Sequence, residues 1–353
     1  MKSLFLYYAK KRLLVLTIVV AIALITSIVI SLSYDMLYPA ESSYKISDSF
    51  LGYLTTILCV FATIIPIYEF SFKMHKNSVD LLYSLPIKRY KLYIVKYLIG
   101  LLELFIIFSV CFLYIFLYAT AQFMDTQNSA KLIYYFYYYL ISLGFGALLY
   151  NWVAFFFTRA NTIVDGIIIT ILSVFSIVIV RAAFIDLTKL VHYDYFGSSD
   201  WRYTPYSSII YFTQYFNVKL KSSHPNVHFY DDVFYSSLVM SIIGAIFIPL
   251  FFILSNKQKA ENASDISNEW YTYKLFIPLY VVCMCEFLGR RDNSLNILNM
   301  TLVIIGGYIC YVIYNRTFKI KKVDLIVLLS SATFGILFPF VLRFIADKLV
   351  YGV

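Results

Sequence analysis

Charge is what this sequence has least of: Asp, Glu, Lys and Arg together make up 14% of its 353 residues. A soluble domain carries roughly 25%, and no polar stretch is long enough to fold as a separate soluble domain. Only the segment from about 182 to 233 approaches that size. Sustained alternation of apolar and polar residues is also missing, which argues against an outer-membrane β-barrel. The pattern GxxxxGK[ST] is absent, and the dipeptide Gly-Lys does not occur at all. A phosphate loop needs glycine amides and that lysine to cradle phosphates, so the chain is not expected to be an ATPase by itself. HExxH and GxSxG are missing as well, which removes two common hydrolase readings. The five cysteines, an odd number, provide no disulfide framework. Cys59, Cys111 and Cys310 fall inside apolar runs, and Cys283 and Cys285 have no second pair of ligands, so all five read as small apolar fillers. The four histidines are His75, His192, His224 and His228. His224 and His228 stand beside Asp231 and Asp232 at a spacing that zinc sites use, but Pro225 opposes the regular helix that would align them. They read as solvated loop residues, and neither a metal nor a cofactor is expected on this chain.

What is abundant is apolar surface. Sixty-one per cent of the residues are hydrophobic, and they fall in blocks near the ~20 residues that cross a bilayer as helix. Runs lie at about 13–33, 50–68, 95–119, 132–157, 163–181, 234–254, 274–288, 295–315 and 323–342, about nine spans. The first follows Lys10-Lys11-Arg12 and is too long for a cleaved signal peptide, with no small-x-small site after it. It reads as an uncleaved span whose start is cytoplasmic. If connections alternate from there, the inner segments 1–12, 69–96, 158–161, 255–274 and 316–322 hold 18 of the 29 Lys and Arg residues. That asymmetry is the one expected of cytoplasmic loops. The net charge of +9 is then an inner-face charge directed at anionic lipid, and no nucleic-acid partner is needed to explain it. The 34 tyrosines, densest at Ile133-Tyr134-Tyr135-Phe136-Tyr137-Tyr138-Tyr139, suit an aromatic belt at the headgroups. The outer loop of about 182–233 carries Trp201, Tyr203, Tyr206, Tyr211 and Phe212, and is too long to be a plain connector.

Charges at membrane depth are functional suspects by default. Glu286 stands four residues before Arg290, where a helical ion pair is the plain reading. Asp165 follows Thr162 in a capping pattern at the inner start of span five, and Arg181 can snorkel from an outer end. Glu103 lies two turns past Lys96 inside the third span and is the candidate transport-path residue.

The sharpest signal is the inner loop after span two. Asn77 or Ser78 can cap a short helix with Asp80 in its first turn. Val79, Leu82 and Tyr83 then share one face, and Pro86 ends the helix. Ser84-Leu85-Pro86 opens the next, basic helix through Lys88 and Arg89 into span three. An amphipathic helix lying on lipid would also look like this.

The run Asp80-Leu81-Leu82-Tyr83-Ser84-Leu85-Pro86-Ile87-Lys88-Arg89 resembles the loop of type-2 ATP-binding-cassette (ABC) exporter permeases: a leucine-rich helix, Ser-Leu-Pro, then a small or polar residue and Arg. A weaker similarity follows span six. Lys257-Gln258-Lys259-Ala260-Glu261-Asn262-Ala263-Ser264 is similar to an Arg-Pro-x-Glu-x-Ala-Gly stretch in a subset of these permeases with extra C-terminal spans, but lacks the Pro and has Ser264 for Gly.

The resemblance implies an all-α polytopic membrane protein. Residues 1–254 would be a six-span core, with a coupling helix at about 72–91 and the extracellular loop at about 182–233. A cytoplasmic linker at 255–273 and two or three further spans in 274–353 would follow. It implies that Asn77, Ser78, Val79, Asp80, Leu81, Leu82, Tyr83, Ser84, Leu85, Pro86, Lys88 and Arg89 form the contact with a separate ATPase, which would bind ATP and magnesium. Two ATPase subunits and a second permease copy, as a homodimer, are the implied partners, and a bacterial cytoplasmic membrane is the implied location. Permeases that export amphipathic peptide toxins (phenol-soluble modulins) look similar in size and layout, which implies an amphipathic peptide or other hydrophobic cargo. Two other classes stand beside this one. An ion-coupled secondary transporter would need broken helices and internal repeats, and a multispan membrane enzyme would need polar residues clustered at one depth; neither pattern is visible.

The orientation is testable with single cysteines at Lys88 and Ser199 and an impermeant thiol reagent on intact cells. Labelling at 199 with protection at 88 is expected, and the reverse pattern contradicts it.

Overall fold

The computed structural model describes residues 2–33, 37–40, 43–46, 48–74, 84, 88–123, 132–176, 246, 248–253, 272–291, 294–295 and 297–351. They are helical, with two short hairpins at the joins. Helix α1 runs Lys2–Ser33, α2 Asp48–Phe70 followed by a 3₁₀ turn Ser71–Met74, α3 Arg89–Phe123 and α4 Leu132–Phe157. Then come α5, Ile163–Ser176, a helical stretch at 248–253, α6 Tyr273–Gly289, α7 Ile297–Asn315 and α8 Lys322–Tyr351. Strands β1 (Leu37–Ala40) and β2 (Ser43–Ile46) pair antiparallel between α1 and α2. Strands β3 (Arg290–Arg291) and β4 (Ser294–Leu295) do so between α6 and α7. A hairpin pairs backbone groups that a plain loop leaves to solvent, which is how strands enter a chain expected to be all-α.

Among the described residues, four helices are long and apolar enough to cross a bilayer: Ser3–Ser31, Tyr53–Met74, Arg89–Tyr118 and Ile297–Asn315. Ser142–Phe157, Ile163–Ser176 and Tyr273–Cys285 are shorter and also apolar. The chain is a membrane-embedded, multi-pass helical protein. Its outward surface agrees: Leu14, Ile18, Ile22, Ile25 and Val29 form an exposed apolar stripe along α1 that water would disfavour and lipid accepts. Expected span 132–157 coincides with α4, but α1 continues through the basic flank back to Lys2. At 32 residues it is about 48 Å long, against a hydrocarbon core of about 30 Å. One end, carrying exposed Lys10 and Lys11, therefore projects past the hydrocarbon.

The described helices fall into two compact units, α1–α4 with the 248–253 stretch in one, and α5–α8 in the other. In the first unit, polar bonds fix the helix directions. Ser31 Oγ bonds Tyr114 of α3 at 2.7 Å, while Arg12 and Lys96 meet near the opposite ends, so α1 and α3 run parallel. Tyr53 of α2 donates to Thr26 at 2.8 Å, and Ser109 of α3 bonds Tyr139 of α4 at 2.6 Å. Helices α2 and α4 run the other way. The core is aromatic, with Phe70, Tyr93, Tyr97 and Phe251 in ring contact.

In the second unit, Tyr273 and Tyr280, two turns apart on α6, bond Asp165 at 3.0 Å and the Leu172 carbonyl at 2.8 Å. This matched spacing sets α5 and α6 parallel. Asn315 donates to Asp324 at 3.0 Å across the turn from α7 to α8, where Arg316 takes a left-handed φ of 51°, the usual way a helix ends. Gly335 lets α8 approach the α6 backbone: a Cβ there would lie 2.5 Å from the Val282 carbonyl oxygen and 3.0 Å from its Cα. Helices in lipid associate through such close contacts, because lipid removes the hydrophobic drive between them.

Gly335→Ala therefore has to move backbone rather than a side chain, and overpacking of this kind costs about 1–3 kcal/mol. Thermal unfolding in detergent should show a melting temperature several degrees lower. Gly306→Ala, with nothing within 4 Å of the new Cβ, should be neutral. Equal effects of the two contradict the packing.

Candidate functional site

The charges of the first unit gather where α1, α2 and α3 meet. Glu69 sits in the last turn of α2 and is 1% exposed. A carboxylate at a helix C-terminus faces the negative end of the dipole and, buried, loses its hydration. Cations from two other helices offset both costs. Arg12 of α1 pairs with Glu69 Oε1, and Lys96 of α3 lies 3.3 Å from Oε2. Each cation is braced by rings: the Arg12 guanidinium stacks 3.9 Å over Tyr68, and Lys96 Nζ lies 4.9 Å from the Tyr8 ring and 5.0 Å from that of Phe72. Exposed pairs contribute roughly 0–1 kcal/mol; this one is shielded, so losing one partner leaves a buried charge unmatched.

One turn further, Lys73 of the 3₁₀ turn is buried and donates to the Thr158 carbonyl at 2.5 Å. Thr158 stands just past α4, where a cation meets the negative end of that helix. Above the charges runs a polar seam between α3 and α4. Tyr97 donates to Asn151 Oδ1, and Tyr150, wholly buried, donates to the Tyr97 carbonyl at 3.2 Å. Gly100 makes room for it, since a Cβ there would run into the Tyr150 hydroxyl.

Glu103 lies on this seam, half-buried and two turns beyond Lys96, or about 10 Å along the helix. The charges of Glu69, Arg12 and Lys96 reach it, and it makes no hydrogen bond or ion pair with a described residue. Of the residues singled out in the connecting loop, Ser84, Lys88 and Arg89 are described, and all three are exposed, with Arg89 opening α3. Asn77, Ser78, Val79, Asp80, Leu81, Leu82, Tyr83, Leu85 and Pro86 lie outside the described residues, as do the histidines, Arg181, the 182–233 loop, the 255–271 part of the linker and the side chains of Glu286 and Arg290. Thr162 caps α5 as expected, accepting from the Asp165 amide at 3.2 Å. The Tyr273 bond to Asp165 was not foreseen. Asp165 Oδ2 is buried without a partner among the described residues. No group of three His, Cys, Asp or Glu side chains gathers among the described residues.

The Glu69 cluster itself was missed by the sequence reading, which took Arg12 as a flanking charge and Lys96 as the reference point for Glu103, and did not single out Glu69. The signal was present: spans one and three start beside a cation, and the run between them ends on an acid. No family model, curated protein or solved structure matches this chain.

Proposed function

We propose that the chain is the membrane subunit of an ABC exporter in a bacterial cytoplasmic membrane, with its N-terminus inside. The observation that carries this reading is the placement of the motif Asp80–Arg89: it joins α2 to α3, and both of its roots are tied into the bundle, one through Glu69 and Lys73, the other through Lys96. A segment that receives force from a partner needs such roots. The exposed Lys88 and Arg89 at the start of α3 suit lipid phosphates or acids of the partner.

In this reading two ATPase subunits close on ATP and displace the coupling segments of two permease copies. The permease biases the cycle only through its differing affinity for cargo in the two states. Aromatic and aliphatic walls with little fixed charge suit an amphipathic peptide, whose apolar face gains roughly 0.8 kcal/mol per CH₂ removed from water. The rival, an ion-coupled carrier, draws on Glu103, the half-buried acid without a bonded partner among the described residues; such a carrier would transport without any ATPase.

The test is co-purification with a co-expressed ATPase subunit encoded beside this chain, together with ATP turnover. Leu82→Asp would place an unpaired carboxylate in an apolar contact and should weaken association by more than about tenfold, a change of at least ~1.4 kcal/mol. Lys88→Ala should change it by ~0–1 kcal/mol. Wild-type behaviour of Leu82→Asp contradicts the coupling assignment and leaves a membrane-surface helix.

A further inference from the structure

The Glu69 cluster has a feature that neither helix packing nor charge neutrality requires: one carboxylate divides its two oxygens between two helices. Oε1 takes Arg12 of α1 and Oε2 takes Lys96 of α3, while Glu69 belongs to α2. It stands six residues before the connecting segment 75–87 begins, and Lys96 stands nine residues after it ends. The rings that brace Lys96 come from α1 (Tyr8) and the 3₁₀ turn (Phe72). Phe72 also touches Tyr93 of α3, and Lys73 ties the same turn to the end of α4.

An apolar contact could slide between neighbouring packings at little cost. A carboxylate held by two cations of different helices cannot, because displacement of either helix strands a buried charge. Well-packed apolar residues are often as stable as a buried ion pair or more so, so stability alone does not account for charges here, whereas fixing one register does.

We propose that Glu69 is the positioning residue of the connecting segment, locking its roots and the projecting turns of α1 and α3 into one body. The lock follows from the geometry alone. Its purpose, passing displacement of the segment into α1 and α3, rests on the ATPase reading. Arg12 and Lys96 are then separable arms: losing Arg12 frees the projecting turns of α1, losing Lys96 frees those of α3, and losing Glu69 frees both.

Hydrogen exchange followed by mass spectrometry on the full chain in nanodiscs reads each arm separately. Arg12→Gln should speed exchange about tenfold in residues 2–12 and leave 89–96 at the wild-type rate; Lys96→Met should do the reverse. Glu69→Gln should speed both, and Glu69→Asp should restore at least part of the protection. The two arm variants carry the test if Glu69→Gln does not fold. Unchanged exchange in the arm variants, or equal acceleration through all of α1–α4 in each, overturns the lock, the latter because it marks general destabilisation. The second readout adds the ATPase subunit. Wild type should show nucleotide-dependent exchange in residues 2–12, and Arg12→Gln should lose it while basal ATP hydrolysis persists. Retention of that response in Arg12→Gln overturns the transmission role. A wild-type chain that binds no ATPase subunit overturns transmission and the ATPase reading together, and leaves the lock to be judged by the first readout.

Discussion

A carboxylate buried at the wrong end of a helix is the constraint around which the first unit is organised. Glu69 meets the negative end of its own helix dipole and is almost shut off from water, so α2 can end there only if cations arrive from elsewhere. Arg12 arrives because α1 continues as helix past its apolar stretch, and Lys96 arrives because α3 begins seven residues before it. The lengths of both helices and their parallel course follow from the need to bring these side chains to one point. The Ser31–Tyr114 bond near the other end keeps them parallel, and the Tyr97–Asn151 and Ser109–Tyr139 bonds fasten α4 alongside. In lipid, where apolar helices gain little from one another, polar bonds and small residues hold a bundle together.

The second unit uses the same devices without a buried ion pair of this kind among its described residues. Two tyrosines of α6 reach across to α5, and Gly335 and Gly307 replace side chains where α8 and α7 come close to their neighbours. The ring of Tyr273 serves twice, bonding Asp165 through its hydroxyl and packing 5.2 Å from Tyr314.

How much of this could be read beforehand follows from what sets each feature. Spans are set by local apolar content, so the run 132–157 gives α4 directly and 295–315 gives α7 with a two-residue difference. The Thr162–Asp165 cap is also local, three residues apart, and was legible. The hairpin at 37–46 depends on backbone pairing across a short connection, which Tyr38-Pro39 opposite Tyr44-Lys45 does not announce. The helical state of residues 2–12 was hidden because a basic flank looks the same whether helical or not. The Glu69 lock joins positions 57 and 27 residues apart, and one sequence shows the charges without showing which ones meet. Glu103 was singled out for its depth, and the structure adds that it makes no hydrogen bond or ion pair with a described residue.

What the segment between α2 and α3 touches decides whether it couples the bundle to a partner ATPase. A photo-activatable amino acid at position 82 of the full chain, irradiated in membranes that contain a co-expressed candidate ATPase subunit, reads this directly. If the proposed coupling holds, a cross-linked band of this chain plus ATPase is expected, its yield changing with a non-hydrolysable ATP analogue, and no such band from the lipid-facing position 22 of α1. Cross-links to lipid alone from position 82, with or without nucleotide, would contradict it.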